Sequence, residues 1–133
     1  MITANDQMEL YVDGYKLADD NKIWNKPKIF KFPSTTQVIV IHGTDTGGIG
    51  GIIGNFSNGI LTDATWKCTK IWYEGWNTAE YDDSFWPIAV ADATRIHLFQ
   101  GFEAVEAHFD KKASWIWTSD RINDDNVYCR RNV

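Results

Sequence analysis

The chain has 133 residues, of which 44% are hydrophobic and 23% charged, and its net charge is −5. That length buries a core in one domain, residues 1–133, and the composition is that of an ordinary globular protein. The acidic balance argues against nucleic acid as a partner, and with no apolar run near the ~20 residues that cross a bilayer, membrane insertion is not expected either.

Strand signals dominate from the start. In QMELYVDGYKL, Met8, Leu10 and Val12 alternate with polar neighbours before a turn at Asp13-Gly14. KIFKFP alternates Ile29, Phe30 and Phe32 with lysines and stops at Pro33. TQVIVIHG is a continuous β-branched run, as a central strand requires. GTDTGGIGGIIG, residues 43–54, lacks the G-x-G-x-x-G spacing and the Gly-Lys-Ser/Thr of a phosphate loop. It reads instead as a connection between strands in which glycine supplies positive φ. GIIGNFSNGILTD, TWKCTKIWY, TRIHLF and NVYCRRNV complete a set of seven or eight short strands. GFEAVEAHFDKKASW is the nearest approach to helical periodicity and has room for one short turn. Short strands spaced by Gly, Asp and Asn turns predict an antiparallel sandwich or barrel.

Aromatic residues make up 14% of the chain, and seven are tryptophans. Most belong in a sandwich core, and one or two on a loop would offer a stacking platform to a sugar. The stretch WNTAEYDDSFWPIA, residues 76–89, poses the choice most sharply: a binding site of rings and carboxylates, or a strap whose rings lie under its own fold.

The three histidines, His42, His97 and His108, have no metal spacing, and no nucleophile motif is present. His42 ends the central strand beside Asp45, either as a ligand for a hydroxyl or as a half-buried strand-end residue. Asp19-Asp20, Asp82-Asp83 and Asp124-Asp125 are each candidate Ca²⁺ ligands or Asx-turns. No cleft-forming insertion accompanies them, so an enzyme is not expected. Cys68 and Cys129 are either two buried thiols or a bridge closing about sixty residues, worth roughly 4 kcal/mol on a loop-entropy model. With the sequon Asn55-Phe56-Ser57, they favour an extracellular protein. The opening MITANDQMEL has no charged or apolar leader segment, so such a protein would have lost its signal peptide.

Gly75, Trp76, Tyr81, Asp82, Asp83, Ser84, Trp86 and Ala89 form a G-W…Y-D-D-S-x-W-x-x-A pattern. It resembles a stretch of galactose-binding-like jelly-roll domains, which accompany bacterial α-L-rhamnosidases and β-galactosidases and occur in large animal extracellular proteins. MELYVDGYKL is similar to their L-Y-V-N-G strand, with Asp13 where asparagine is usual. ILTDATWKC and ASWIWTSDRINDDNVYCRRNV resemble two further strands. The last piece comes first in the enzyme-attached domains, so the order looks like a circular permutation or one unit of a tandem array, and either way the termini are expected to be neighbours. The same resemblance brings the strands of Cys68 and Cys129 within reach of a bridge if they are adjacent.

The resemblance implies an all-β antiparallel sandwich of jelly-roll, galactose-binding-like kind. It implies a non-catalytic, lectin-like module that recognises a glycan or glycoconjugate through loops at one pole. Candidate ligand residues are Trp24, His42, Asp45, Trp76, Asn77 and Arg121. Ca²⁺ is the one candidate cofactor. A tandem-repeat neighbour or a second copy is a candidate partner, and an adhesive protein-interaction module is the alternative function. Asp83, Ser84 and Trp86 read as structure, an Asp-Ser turn that swings Trp86 onto the core.

Overall fold

A computed structural model describes residues 1–5, 7–21, 29–47, 49–92 and 105–133, with 5, 18–21 and 92 as backbone alone. Nine strands lie within them: β1 (Ile2–Asn5), β2 (Gln7–Val12), β3 (Tyr15–Asn21), β4 (Val38–Thr44), β5 (Gly51–Gly54), β6 (Lys67–Thr69), β7 (Val90–Asp92), β8 (Trp115–Trp117) and β9 (Asn126–Asn132). They form a four-stranded sheet, β1-β5-β8-β7, and a five-stranded sheet, β3-β2-β4-β9-β6. Every described pairing between strands is antiparallel, so the protein is an all-β sandwich. No helix among the described residues is long and apolar enough to cross a membrane.

Period-two alternation decides what each strand gives to the interior. Met8, Leu10, Ile39, Ile41, Val127 and Cys129 face Ile2, Ala4, Ile52 and Ile116 of the other sheet in one core. Cys68 and Cys129 oppose each other across β6 and β9, with Cα atoms 4.2 Å apart, and form the disulfide. That spacing belongs to a non-hydrogen-bonded antiparallel pair. The bridge staples the three-residue edge strand β6 to its neighbour.

Both sheets are covered on their far faces as well. Val105, Phe109, Ala113 and Trp115 pack against Ile53 on the four-stranded sheet. The stretch that posed the opening choice crosses the five-stranded sheet, where Trp76 and Trp86 bury Val38 and Val40. It is a structural strap. Turns at Gly75–Thr78 and Asp83–Trp86 shape it, and Ser84 donates to Asp82 in an Asx-turn.

Arg130 fastens the strap. It lies on the outer face of β9, in one cross-strand row with Tyr11, Val40 and Lys67, and its side chain is fully buried. Nε donates to Asp83 Oδ2 at 2.9 Å. Nη1 donates to the carbonyls of Trp76 and Thr78, and Nη2 to that of Tyr81. The Tyr81 ring lies 5.2 Å below the guanidinium. Lys67 Nζ adds a contact to Asp83 Oδ1 at 3.3 Å.

In the glycine-rich segment Gly47 has the expected positive φ, at 153°, but Gly43 and Gly50 depart from that expectation. A Cβ on Gly50 would sit 2.2 Å from the Trp117 ring, and one on Gly43 would sit 2.8 Å from it. Close approach of backbone to a rigid indole is what excludes side chains there. KIFKFP also departs: its described residues are not a strand, and Phe30 and Phe32 pack on the core as rings. Pro33 has no N–H to give a ladder. TRIHLF lies outside the described residues. Val105 and Glu106 are helical, in the segment where a short turn was expected. Both termini lie at one pole: the Met1 ammonium donates to the Asn55 carbonyl at 2.7 Å, and Val133 shares a small cavity with Ser57 and Asn58.

Removing Asp83 strands a buried guanidinium. Asp83→Ala should therefore cost about 3–5 kcal/mol in urea unfolding, and a loss below about 1 kcal/mol would take the pair out of this role. Gly50→Ala should cost about 1–3 kcal/mol by forcing Trp117 aside, and an unchanged unfolding midpoint would contradict that packing.

Candidate groove at the pole of the sandwich

The pole opposite the termini is built by the β4–β5 and β8–β9 loops. Asp45 N–H donates to the Asp125 carbonyl and Gly50 N–H to the Arg121 carbonyl, each at 2.8 Å. The Arg121 guanidinium donates to the carbonyls of Gly50, Val90 and Trp115 at 3.2, 3.0 and 2.9 Å. It rivets three separate backbone segments together. The Trp117 indole adds a hydrogen bond to the Asp124 carbonyl at 3.0 Å.

Beside this pole, Pro87 to Asp92 passes from one sheet to the other. Its first half pairs with the segment 66–68 of the five-stranded sheet, and its second half is β7 of the four-stranded sheet. A groove of about 450 Å³ opens where this crossing meets the end of β6 and the β8–β9 loop. Its lining is aliphatic at Ile71, Pro87, Ile88 and Val90. It is polar at Lys70, Thr118, Ser119, Asp120 and Asp124. Ile88 is 66% exposed, a large apolar surface for a rim residue.

The polar lining is held in place by its own hydrogen bonds. Asp124 Oδ2 accepts from Thr118 Oγ1 at 2.6 Å. Asp120 Oδ1 accepts from the backbone N–H groups of Ile122 and Asn123, and Oδ2 from Asn123 Nδ2. The Asn123 backbone bond leads the causes that lower the Asp120 carboxyl below its ordinary value. Asp82 is lowered likewise, chiefly by the Ser84 backbone, which makes it a turn residue.

The structure separates the candidate residues. Trp76 is 5% exposed, packed edge-on against Tyr11 and Tyr128, so its ring is a core ring and not a platform. Asn77 sits half-buried on the strap. Asp45 is buried at the pole, with Oδ1 accepting from Gly47 N–H. Arg121 acts on backbone carbonyls and neighbours the groove through Val90. Trp24 lies outside the described residues, as do the side chains of Asp19 and Asp20. Asp125 is exposed, and among the described residues no three His, Cys, Asp or Glu side chains group as a metal would need.

His42 belongs to a polar row on the outer face of the five-stranded sheet. It stacks on Tyr128 at 4.5 Å, and its Nδ1 and Nε2 meet Glu9 Oε1 and Asn126 Oδ1 at 3.2 and 3.0 Å. Lys16 Nζ and Tyr11 Oη complete the shell of Glu9. Burial alone would raise the Glu9 carboxyl, but hydrogen bonds from Tyr11, Lys16 and His42 outweigh it and bring its pKa to about 2.

Sequence reasoning missed Ile71, Ile88, Val90, Thr118 and Ser119, which come from three stretches far apart in the chain. It also passed over Trp72, which is 59% exposed in the segment following β6. No family model, characterised protein or solved structure matches the chain.

The lowered Glu9 carboxyl makes a signed prediction. Its stabilisation is fully present above the ordinary value of 4.5 and is lost as pH falls through about 2. Glu9→Gln should flatten the decline of the urea midpoint across that window, and an unaltered decline would show that other carboxylates carry it.

Proposed function

We propose that the chain is a non-catalytic saccharide-binding module that takes its ligand in the groove at the pole. The amphipathic character of that groove carries this reading. Sugars present C–H faces and hydroxyls together, and a lining that combines Ile71, Ile88 and Val90 with Thr118, Ser119 and two carboxylates complements both. The aliphatic lining takes the place that the stacking ring holds in the sequence-based expectation. The disulfide Cys68–Cys129 is compatible with an oxidising, extracellular setting, which suits a module that meets glycoconjugates. The resemblance of the D-D-S-x-W stretch to galactose-binding-like jelly rolls points the same way. An open groove gives modest affinity per site, so tandem copies would supply strength by avidity.

The exposed side chains Ile71, Trp72, Phe85 and Ile88 favour one second reading, an adhesive module that meets another protein. Immobilised glycans separate the two. Retention should be competed by free monosaccharide and weakened about tenfold by Ile88→Asp, with Tyr15→Ser at the exposed start of β3 as the neutral control. Retention that resists free sugar, or that ignores Ile88→Asp, would favour the adhesive reading.

A further inference from the structure

The charges of the groove point to the chemistry of its ligand. Lys70 Nζ stands 4.0 Å from Asp124 Oδ1, beyond hydrogen-bonding distance. The Lys70 side chain is 65% exposed and that of Asp124 only 13%. The carboxylate is therefore fixed, by Thr118 and by its place in the loop, whereas the ammonium rides on a flexible four-carbon stem. The field of Lys70 also reaches Asp120, which lines the same groove. Two anchored carboxylates and one movable cation thus share the groove with aliphatic side chains. The chain as a whole is acidic, with a net charge of −5, so its field attracts cations to this end as to any other.

We propose that Lys70 is a displaceable internal stand-in for a ligand amine, and that the groove takes an amine-bearing saccharide. This rests on the saccharide reading above. The ring of such a ligand would lie along Ile88 and Val90 while its ammonium replaces Nζ beside Asp124. A uronic or sulfated sugar would instead set its own anion against Asp120 and Asp124.

Three probes titrated against the full chain by calorimetry test the proposal: a β-1,4-linked glucosamine tetramer, its fully N-acetylated counterpart, and a tetragalacturonate. The titrations are run at about pH 6 and low salt, where surface charges are least screened. The free-amine tetramer should bind most tightly. Lys70→Met should tighten it about two- to fivefold by removing the competing cation, and Asp124→Asn should weaken it by a similar factor. Lys112→Met makes the same change of charge in another layer of the fold and should leave the affinity unaltered. Weaker binding in Lys70→Met, an equal effect of Lys112→Met, or equal binding of the acetylated tetramer would overturn the proposal and leave saccharide binding standing. If none of the three tetramers binds, the saccharide reading falls and this inference with it.

Discussion

The outer layer of the five-stranded sheet depends on one buried guanidinium. Arg130 sits on β9 at a position whose alternation points it away from the core and toward the strap. A charge there is tolerable only if its donors are met, and Asp83 with the carbonyls of Trp76, Thr78 and Tyr81 meets them. A chain of successive turns has no ladder of its own to hold it to a sheet. The arginine fork supplies the equivalent, binding three carbonyls and one carboxylate in a fixed geometry. Asp83 therefore belongs to the architecture, and the rings of Trp76 and Trp86 are buried because Arg130 pins the backbone that carries them.

A second close approach organises the pole. The Trp117 ring lies against the backbone of Gly43 and Gly50, which brings the β4–β5 loop down onto the end of β8. Arg121 then ties that loop to Val90 and Trp115. The groove is a consequence of these two restraints, since its polar lining is largely the loop that Arg121 and the Trp117 hydrogen bond hold in place. The disulfide fixes its floor, because Cys68 leads straight into Thr69 and Lys70. A ligand of the kind proposed would need little reordering of such a frame, which preserves affinity in an open site.

Much of the fold was legible in local pattern. Alternation in β2, the β-branched run of β4, the short NVYCRRNV segment of β9 and the turn at Asp13-Gly14 predict strands where strands occur. β1 was not legible, because ITAN carries no turn signal and gains its place only by pairing with β5. Five of the seven tryptophans are buried, as a sandwich core requires. The site was much less legible. Arg121 and Trp76 have the residue types of ligand contacts, but backbone carbonyls claim the one and neighbouring rings the other.

By itself, the sequence determined the all-β class, the inward and outward sides of β2, and the structural part played by Asp83, Ser84 and Trp86. These follow from the two-residue period of a strand and from Asx-turn chemistry, which act over a few residues. Only the tertiary structure decided that Cys68 opposes Cys129, that the outer face of the five-stranded sheet is covered, and that the segments around Ile71, Ile88 and Ser119 line one groove. The reason is physical: periodicity says which way a side chain points within its own element. What it meets there depends on strand order and on the segment that crosses above, and both are set by pairings between residues far apart in the chain.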